Sequence, residues 1–244
     1  MMEDKIKIDQ LIDLFKKIEI KSTNSFSLTD GNIELSVNFE LTPCDFIRYA
    51  EQDLNDNDDR AIVNAISNAK RAIDCRTDMI LKALNISSSL IKKSKFDVLQ
   101  EFGIVASRII KKIRKVKNLM EHEYILPKIE VAEDAVDIAM LFEASANRVF
   151  HLFPEVIYIT NLDVLPGKAG HLFNNYIEFF FKNDGYYIYG IKDLKEIHEE
   201  IFVSDDSPLH YQITKIYVTT HLERNNDIAL LDFFKYLNYV NNES

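Results

Sequence analysis

Hydrophobic residues along this 244-residue chain recur with two different periods, and the points where the period changes limit what it can fold into. Apolar and polar residues alternate through Ile33, Leu35, Val37, Phe39 and Leu41, the pattern of a half-buried strand. Phe26 and Leu28 precede this run across Asp30-Gly31, a two-residue turn signal. A β-hairpin pairing Leu28 with Ile33 and Phe26 with Leu35 is therefore predicted. The helical period governs on both sides of it. Residues 4–20 place Ile8, Leu11, Ile12, Phe15 and Ile18 on one stripe, and Thr42-Pro43 supplies an N-cap and a first-turn proline opening a helix through Leu54. Beyond a loop or kink at 55–59, long helices are predicted over 59–84 and 131–150. After Phe150 aromatic and β-branched residues take over. Strands are expected at 155–160, 176–181 and 186–191, the last two joined by Asn183-Asp184-Gly185, a second hairpin signal. A helix over 192–201, a strand over 212–219 and a closing helix over 227–239 complete a small α/β module.

Charge is segregated as sharply as hydrophobicity. The formal net charge is -10, yet Arg108, Lys111, Lys112, Arg114, Lys115 and Lys117 follow one another with no acid between them. Such a patch is the electrostatic footprint of a phosphate-rich partner. Val105, Ile109, Ile113, Val116 and Met120 fall at spacings of four, four, three and four, so these cations ride on an amphipathic helix. Arg114, Asn118 and His122 then share one polar row, with Lys117 turned toward a neighbouring face. A guanidinium, an amide and an imidazole suit a phosphodiester: the cation neutralises its oxygens, and an imidazole with pKa near about 6.5 moves a proton at physiological pH. The same residues also read, without chemistry, as a solvated basic face and a structural histidine.

Lys117-Asn118-Leu119-Met120-Glu121-His122-Glu123-Tyr124 resembles the motif of the HEPN superfamily (higher eukaryotes and prokaryotes nucleotide-binding), in which an Arg, usually followed by a small polar residue, precedes a His by a short spacer. Tyr124, two positions after His122, looks like the extended form found in the toxin half of HEPN/nucleotidyltransferase toxin–antitoxin pairs. Lys117 stands where the family has Arg, replacing a planar fork with a point charge. The resemblance covers roughly residues 43–150 and implies an all-helical bundle there. The fold class that follows is α+β: an N-terminal helix and β-hairpin over 1–42, a central HEPN-like all-α bundle over 43–150, and a C-terminal α/β module over 151–244.

The resemblance further implies a metal-independent endoribonuclease, a toxin or defence effector that cleaves RNA to a 2′,3′-cyclic phosphate. In that reading His122 is the general acid or base, and Lys117, helped by Arg114, stabilises the charged phosphorane. Asn118 orients the phosphate or the imidazole, while Arg108, Lys111, Lys112 and Lys115 bind the RNA backbone. A homodimer would join two such helices in one cleft, and a nucleotidyltransferase antitoxin would modify Tyr124. The alternative is a catalytically inactive HEPN module that binds RNA, a nucleotide or a partner protein, and Lys117 is the residue that favours it.

Cys44 and Cys75 are too few and too far apart for a disulfide framework or a zinc site, which points to a reducing cytoplasm. No signal pattern opens the chain, and no apolar run approaches the about 18 residues needed to span a bilayer, so a soluble cytoplasmic protein without membrane partners is expected. The glycine-containing segment 165–170 lacks a phosphate-loop pattern and reads as a connector. His151, His171, His198, His210 and His221 show no His-x-x-x-His spacing and read as surface or packing residues. No metal or cofactor is called for. Phe179, Phe180, Phe181, Tyr186, Tyr187 and Tyr189 read as core and cross-strand pairs, with base stacking as the other use of such rings.

Overall fold

The computed structural model describes residues 2–23, 25–56, 58–105, 112, 115, 125–151, 153–161, 173–193, 195–197, 200–222 and 226–238. They form two compact units. One comprises residues 1–34, 85–92 and 152–244, and the other 35–84 and 93–151.

The first unit is built on a six-stranded antiparallel sheet. Its strands are β1 (Ser25–Asp30), β2 (Val156–Asn161), β3 (Tyr176–Lys182), β4 (Gly185–Lys192), β5 (Lys195–Glu196) and β6 (Ile201–Ser204). β1 to β4 lie side by side in that order, and the far edge of β4 is shared by β5 and β6. Pleating sends alternate side chains to opposite faces. Ile157, Ile159, Ile177, Phe179, Phe181, Tyr186, Ile188, Ile201 and Val203 are buried on one face. Three helices supply the cover: α1 (Met2–Ile18), α6 (Pro208–His221) and α7 (Asn226–Tyr236). Leu11, Leu14, Phe15 and Ile18 of α1 are completely buried, and Phe15 meets Phe234 of α7 edge-on at 5.1 Å. Polar pairs are buried inside this layer, Tyr186 with Thr214 at 2.9 Å and Ser27 with Thr220 at 2.9 Å.

In the second unit the described elements are α2 (Pro43–Asp56), α3 (Asp59–Ala83), α4 (Lys95–Glu101) and α5 (Ile129–Asn147), and residues 112 and 115 are also helical. Thr42 caps α2: its backbone N–H donates to the Asp45 carboxylate at 2.9 Å, and Asp45 N–H donates to the Thr42 hydroxyl at 3.4 Å. α3 packs against both α2 and α5. The faces of α3 and α5 are small, with Ala61, Ala65, Ala69 and Ala72 buried on one and Ala132, Ala135, Ala139 and Ala146 on the other.

The expected architecture, a central all-α bundle flanked by a hairpin and a small α/β module, is corrected by this structure. The molecule is mixed, with seven helices and a six-stranded antiparallel sheet among the described residues. The N-terminal hairpin does not form. Gly31 does turn the chain, at φ +67°, with its N–H donating to Asp30 at 2.7 Å, but β1 pairs along its whole length with β2. Ile33 makes only an isolated bridge to Phe153, and the Leu35 N–H goes to the Phe150 carbonyl at 3.2 Å. Alternation in 33–39 thus leaves Leu35 buried and Ile33, Val37 and Phe39 half-buried between exposed neighbours without a ladder, because a period of two specifies faces and not a partner.

Two more expectations in the C-terminal part are reversed. None of the described residues of 192–201 is helical; Asp193 turns at φ +53° and Glu196 pairs with Ile191 in the sheet. Residues 212–219, rich in β-branched side chains, are helix α6 and not a strand. Ser207 caps it, its hydroxyl accepting from Leu209 N–H, and Pro208 occupies the first turn. The hydroxyls of Thr214 and Thr219 donate to the carbonyls four residues back, at 2.9 and 2.8 Å, so the helix buries them satisfied.

Candidate functional site

Of the residues that the sequence nominates, Arg108, Lys111, Arg114, Lys117, Asn118, His122 and Tyr124 lie outside the described residues. Lys112 and Lys115 are described. Both are helical and exposed, and neither takes part in an ion pair among the described residues. The loop expected over 165–170 and the histidines His171 and His198 also fall outside. His210 packs on the Tyr186 ring at 4.9 Å and His221 on Phe153 at 5.7 Å, both in packing positions, while exposed His151 contacts Asn147 at 3.2 Å.

Sequence reasoning missed a polar centre in the second unit. Arg76 interrupts the apolar stripe of α3 between Ile73 and Ile80, and its guanidinium forms two hydrogen bonds with the Glu143 carboxylate of α5. Side-chain exposure is only 7% and 13% for the two, and the guanidinium lies 4.9 Å from the centre of the Phe150 ring. The signal was a lone cation on an otherwise apolar helix face. Cys44 Sγ reaches Glu143 at 3.9 Å, and Cys75 Sγ donates to the Leu41 carbonyl at 3.5 Å. Burial is the main reason both thiols titrate above the ordinary range, and it outweighs the lowering effect of the nearby Arg76 guanidinium. The chemistry available here is an ion pair that ties α3 to α5, not a nucleophile.

In the first unit a cleft runs along the start of α1 and β6, lined by Glu3, Asp4, Lys7, Phe202, Ser204 and Asp206. Its Ser207 hydroxyl donates to Asp4 at 2.8 Å while capping α6, which commits it to structure. The sheet divides the aromatics that the sequence groups together. Phe179, Phe181 and Tyr186 point into the buried layer, and Phe180, Tyr187 and Tyr189 lie half-buried on the opposite face. Among the described residues no group of three or more His, Cys, Asp and Glu side chains is placed to hold a metal ion, and no helix is long and apolar enough to cross a membrane. Neither a protein-family model, nor a curated protein, nor a solved structure matches the chain.

Proposed function

We propose that this protein acts on RNA through its basic segment, residues 108–117 holding the phosphate backbone and His122 serving a metal-independent cleavage. The observation that carries the reading is charge segregation: six cations without an acid in a chain of net charge -10. The exposure of Lys112 and Lys115 on a helix supports it. Repulsion from the acidic remainder confines a polyanion to that segment.

In the cleavage step the His122 imidazole accepts the proton of a ribose 2′-hydroxyl, and the 2′ oxygen bonds to phosphorus. The ammonium of Lys117, with the Arg114 guanidinium, stabilises the charged phosphorane, and Asn118 orients the phosphate. The bond from phosphorus to the 5′ oxygen breaks, and that oxygen takes up the proton now held by the imidazolium, giving a 2′,3′-cyclic phosphate, a 5′-hydroxyl and a neutral His122. Arg114 starts about 12 Å from His122 along a helix, so pairing two copies in a homodimer is the arrangement that brings guanidinium and imidazole to one phosphate. A nucleotidyltransferase partner modifying Tyr124 would add negative charge beside His122 and block RNA. The second reading, an inactive module that holds RNA, a nucleotide or a protein on the same cations, is favoured by Lys117 in place of Arg.

The test is cleavage of labelled single-stranded and structured RNA in EDTA by wild type, His122→Ala and Lys117→Arg. Cyclic-phosphate ends that vanish with His122→Ala and increase with Lys117→Arg are expected. Binding without cleavage in all three leaves the module reading, and cleavage that survives His122→Ala removes the mechanism.

A further inference from the structure

The sheet face turned away from α1, α6 and α7 is a lattice of tyrosines and carboxylates. β3 contributes Tyr176, Glu178, Phe180 and Lys182 to it, β4 contributes Tyr187 and Tyr189, β2 contributes Tyr158 and β6 contributes Phe202. Two tyrosine hydroxyls donate to carboxylates, Tyr187 to Asp184 at 2.8 Å and Tyr189 to Glu200, and burial beside acidic groups, Glu178 foremost, holds the Tyr158 and Tyr176 phenols above their ordinary range. A phenol that donates to a carboxylate pushes electron density into its ring, which makes the ring face a better seat for a cation. One cation is already seated this way, with Lys182 Nζ 3.9 Å from the centre of the Tyr187 ring.

Glu178 is at the centre. Tyr158 and Tyr189 are directly opposite it on the two neighbouring strands, and Tyr176 and Phe180 flank it on its own. The rings meet edge-on, Tyr158 with Tyr176 at 5.4 Å and Phe180 with Tyr189 at 5.6 Å. Among the described residues no ion pair reaches this carboxylate, and the charge nearest in effect is another acid, Glu196. Desolvation without a counter-cation is the main reason its pKa lies above the ordinary carboxylate range. With Asp30, Asp184, Glu196 and Glu200, the described residues of this face present five carboxylates and one ammonium.

We propose that this face docks an arginine-bearing segment of a partner protein, seating one guanidinium on Glu178 among Tyr158, Tyr176, Phe180 and Tyr189. The planar guanidinium matches both halves of the site: its N–H fork meets a carboxylate in two parallel bonds, and its flat surface stacks on aromatic rings. Exposed aromatics on a sheet can also stack nucleic-acid bases, but phosphates would face five carboxylates here, which makes a cationic peptide the complementary occupant. The face carries charge opposite to that of the basic segment and acts independently of it.

The experiment is fluorescence anisotropy on the full chain with a short labelled peptide of alternating arginine and glycine, beside the same peptide with lysine or citrulline for arginine. The arginine peptide is expected to bind, the lysine peptide more weakly, and the citrulline peptide not at all. Glu178→Gln, close in shape to the native side chain, should weaken arginine-peptide binding by about tenfold or more. Glu133→Gln, which removes one exposed charge from α5, should change it by less than about twofold. Equal losses from both substitutions would reduce the effect to the acidity of the whole molecule and overturn the proposal. So would RNA binding that is lost on Tyr189→Ala, or tighter binding of a peptide copying residues 108–117, which would make a second copy of this chain the occupant.

Discussion

Arg76 is held inside the second unit by one partner, and its removal leaves the Glu143 carboxylate buried without a counter-charge. Arg76→Ala is therefore expected to cost about 3–5 kcal/mol in urea unfolding. Replacing both residues by Met should recover most of that loss, because an apolar pair of similar volume carries no desolvation penalty. Gly190 makes a steric point of the same kind. A Cβ there would sit 2.3 Å from Leu14 Cδ1 of α1, which is fully buried. Gly190→Ala should cost about 1–3 kcal/mol, and Leu14→Ala on that background should be cheaper than Leu14→Ala alone. Glu178 offers a pH test. Its folded-state pKa is raised, so its contribution to stability is present at low pH and is lost as pH rises through that value. Glu178→Gln should match wild type in acid and be the more stable protein at pH 7, as read by thermal unfolding across that range; the reverse order would show that a cation already satisfies the carboxylate.

Helix α6 shows where sequence reading stops at the level of an element. The run Ile213, Thr214, Ile216, Val218, Thr219 and Thr220 has strand propensity, and every one of these residues is buried. A helix enclosed on all sides loses the polar stripe that would reveal its period, and residue propensity alone then points to a strand. The local signals for a helix were present in Ser207 and Pro208. Ser207→Ala should cost about 1 kcal/mol and Ser207→Gly less, measured by urea unfolding. Elsewhere the reading agrees with the structure: α1, α2, α3 and α5 lie close to their predicted spans, as do β2, β3, β4 and α7. The β3–β4 hairpin was legible in Asn183-Asp184-Gly185, although Gly185 is needed for a further reason. It sits at φ +147°, and a Cβ on it would come within 2.1 Å of the Val203 carbonyl of β6. The partner of β1 was illegible because pairing depends on residues far along the chain. The cations and the histidine are legible in the sequence as a pattern, while the tyrosine-carboxylate face needs the register of β2, β3 and β4 to bring its members together.

For the molecule as a whole, charge and connectivity set the expectations. If the basic segment holds single-stranded RNA, each cation in phosphate contact adds about 0.7 to the slope of log affinity against log salt. Lys112→Ala and Lys115→Ala should each lower that slope by about this amount, and an unchanged slope would place the RNA elsewhere. The first unit is assembled from three stretches of chain, 1–34, 85–92 and 152–244. A fragment of residues 152–244 keeps most of the sheet but lacks α1 and β1, which leaves the surface under Leu14 and Ile18 bare; it should be recovered insoluble, and a soluble, cooperatively unfolding fragment would contradict this packing.

The link between Ser27 of β1 and Thr220 of α6 spans 193 residues. At a ribosomal pace of about 5–20 residues per second, β1 leaves the ribosome about 10–40 s before that partner exists. During the interval α1 presents Leu11, Leu14, Phe15 and Ile18 to water together with an unpaired strand edge. This N-terminal segment is the part of the nascent chain with most need of a chaperone, and translation slowed between the two halves would lengthen its exposure rather than help it fold.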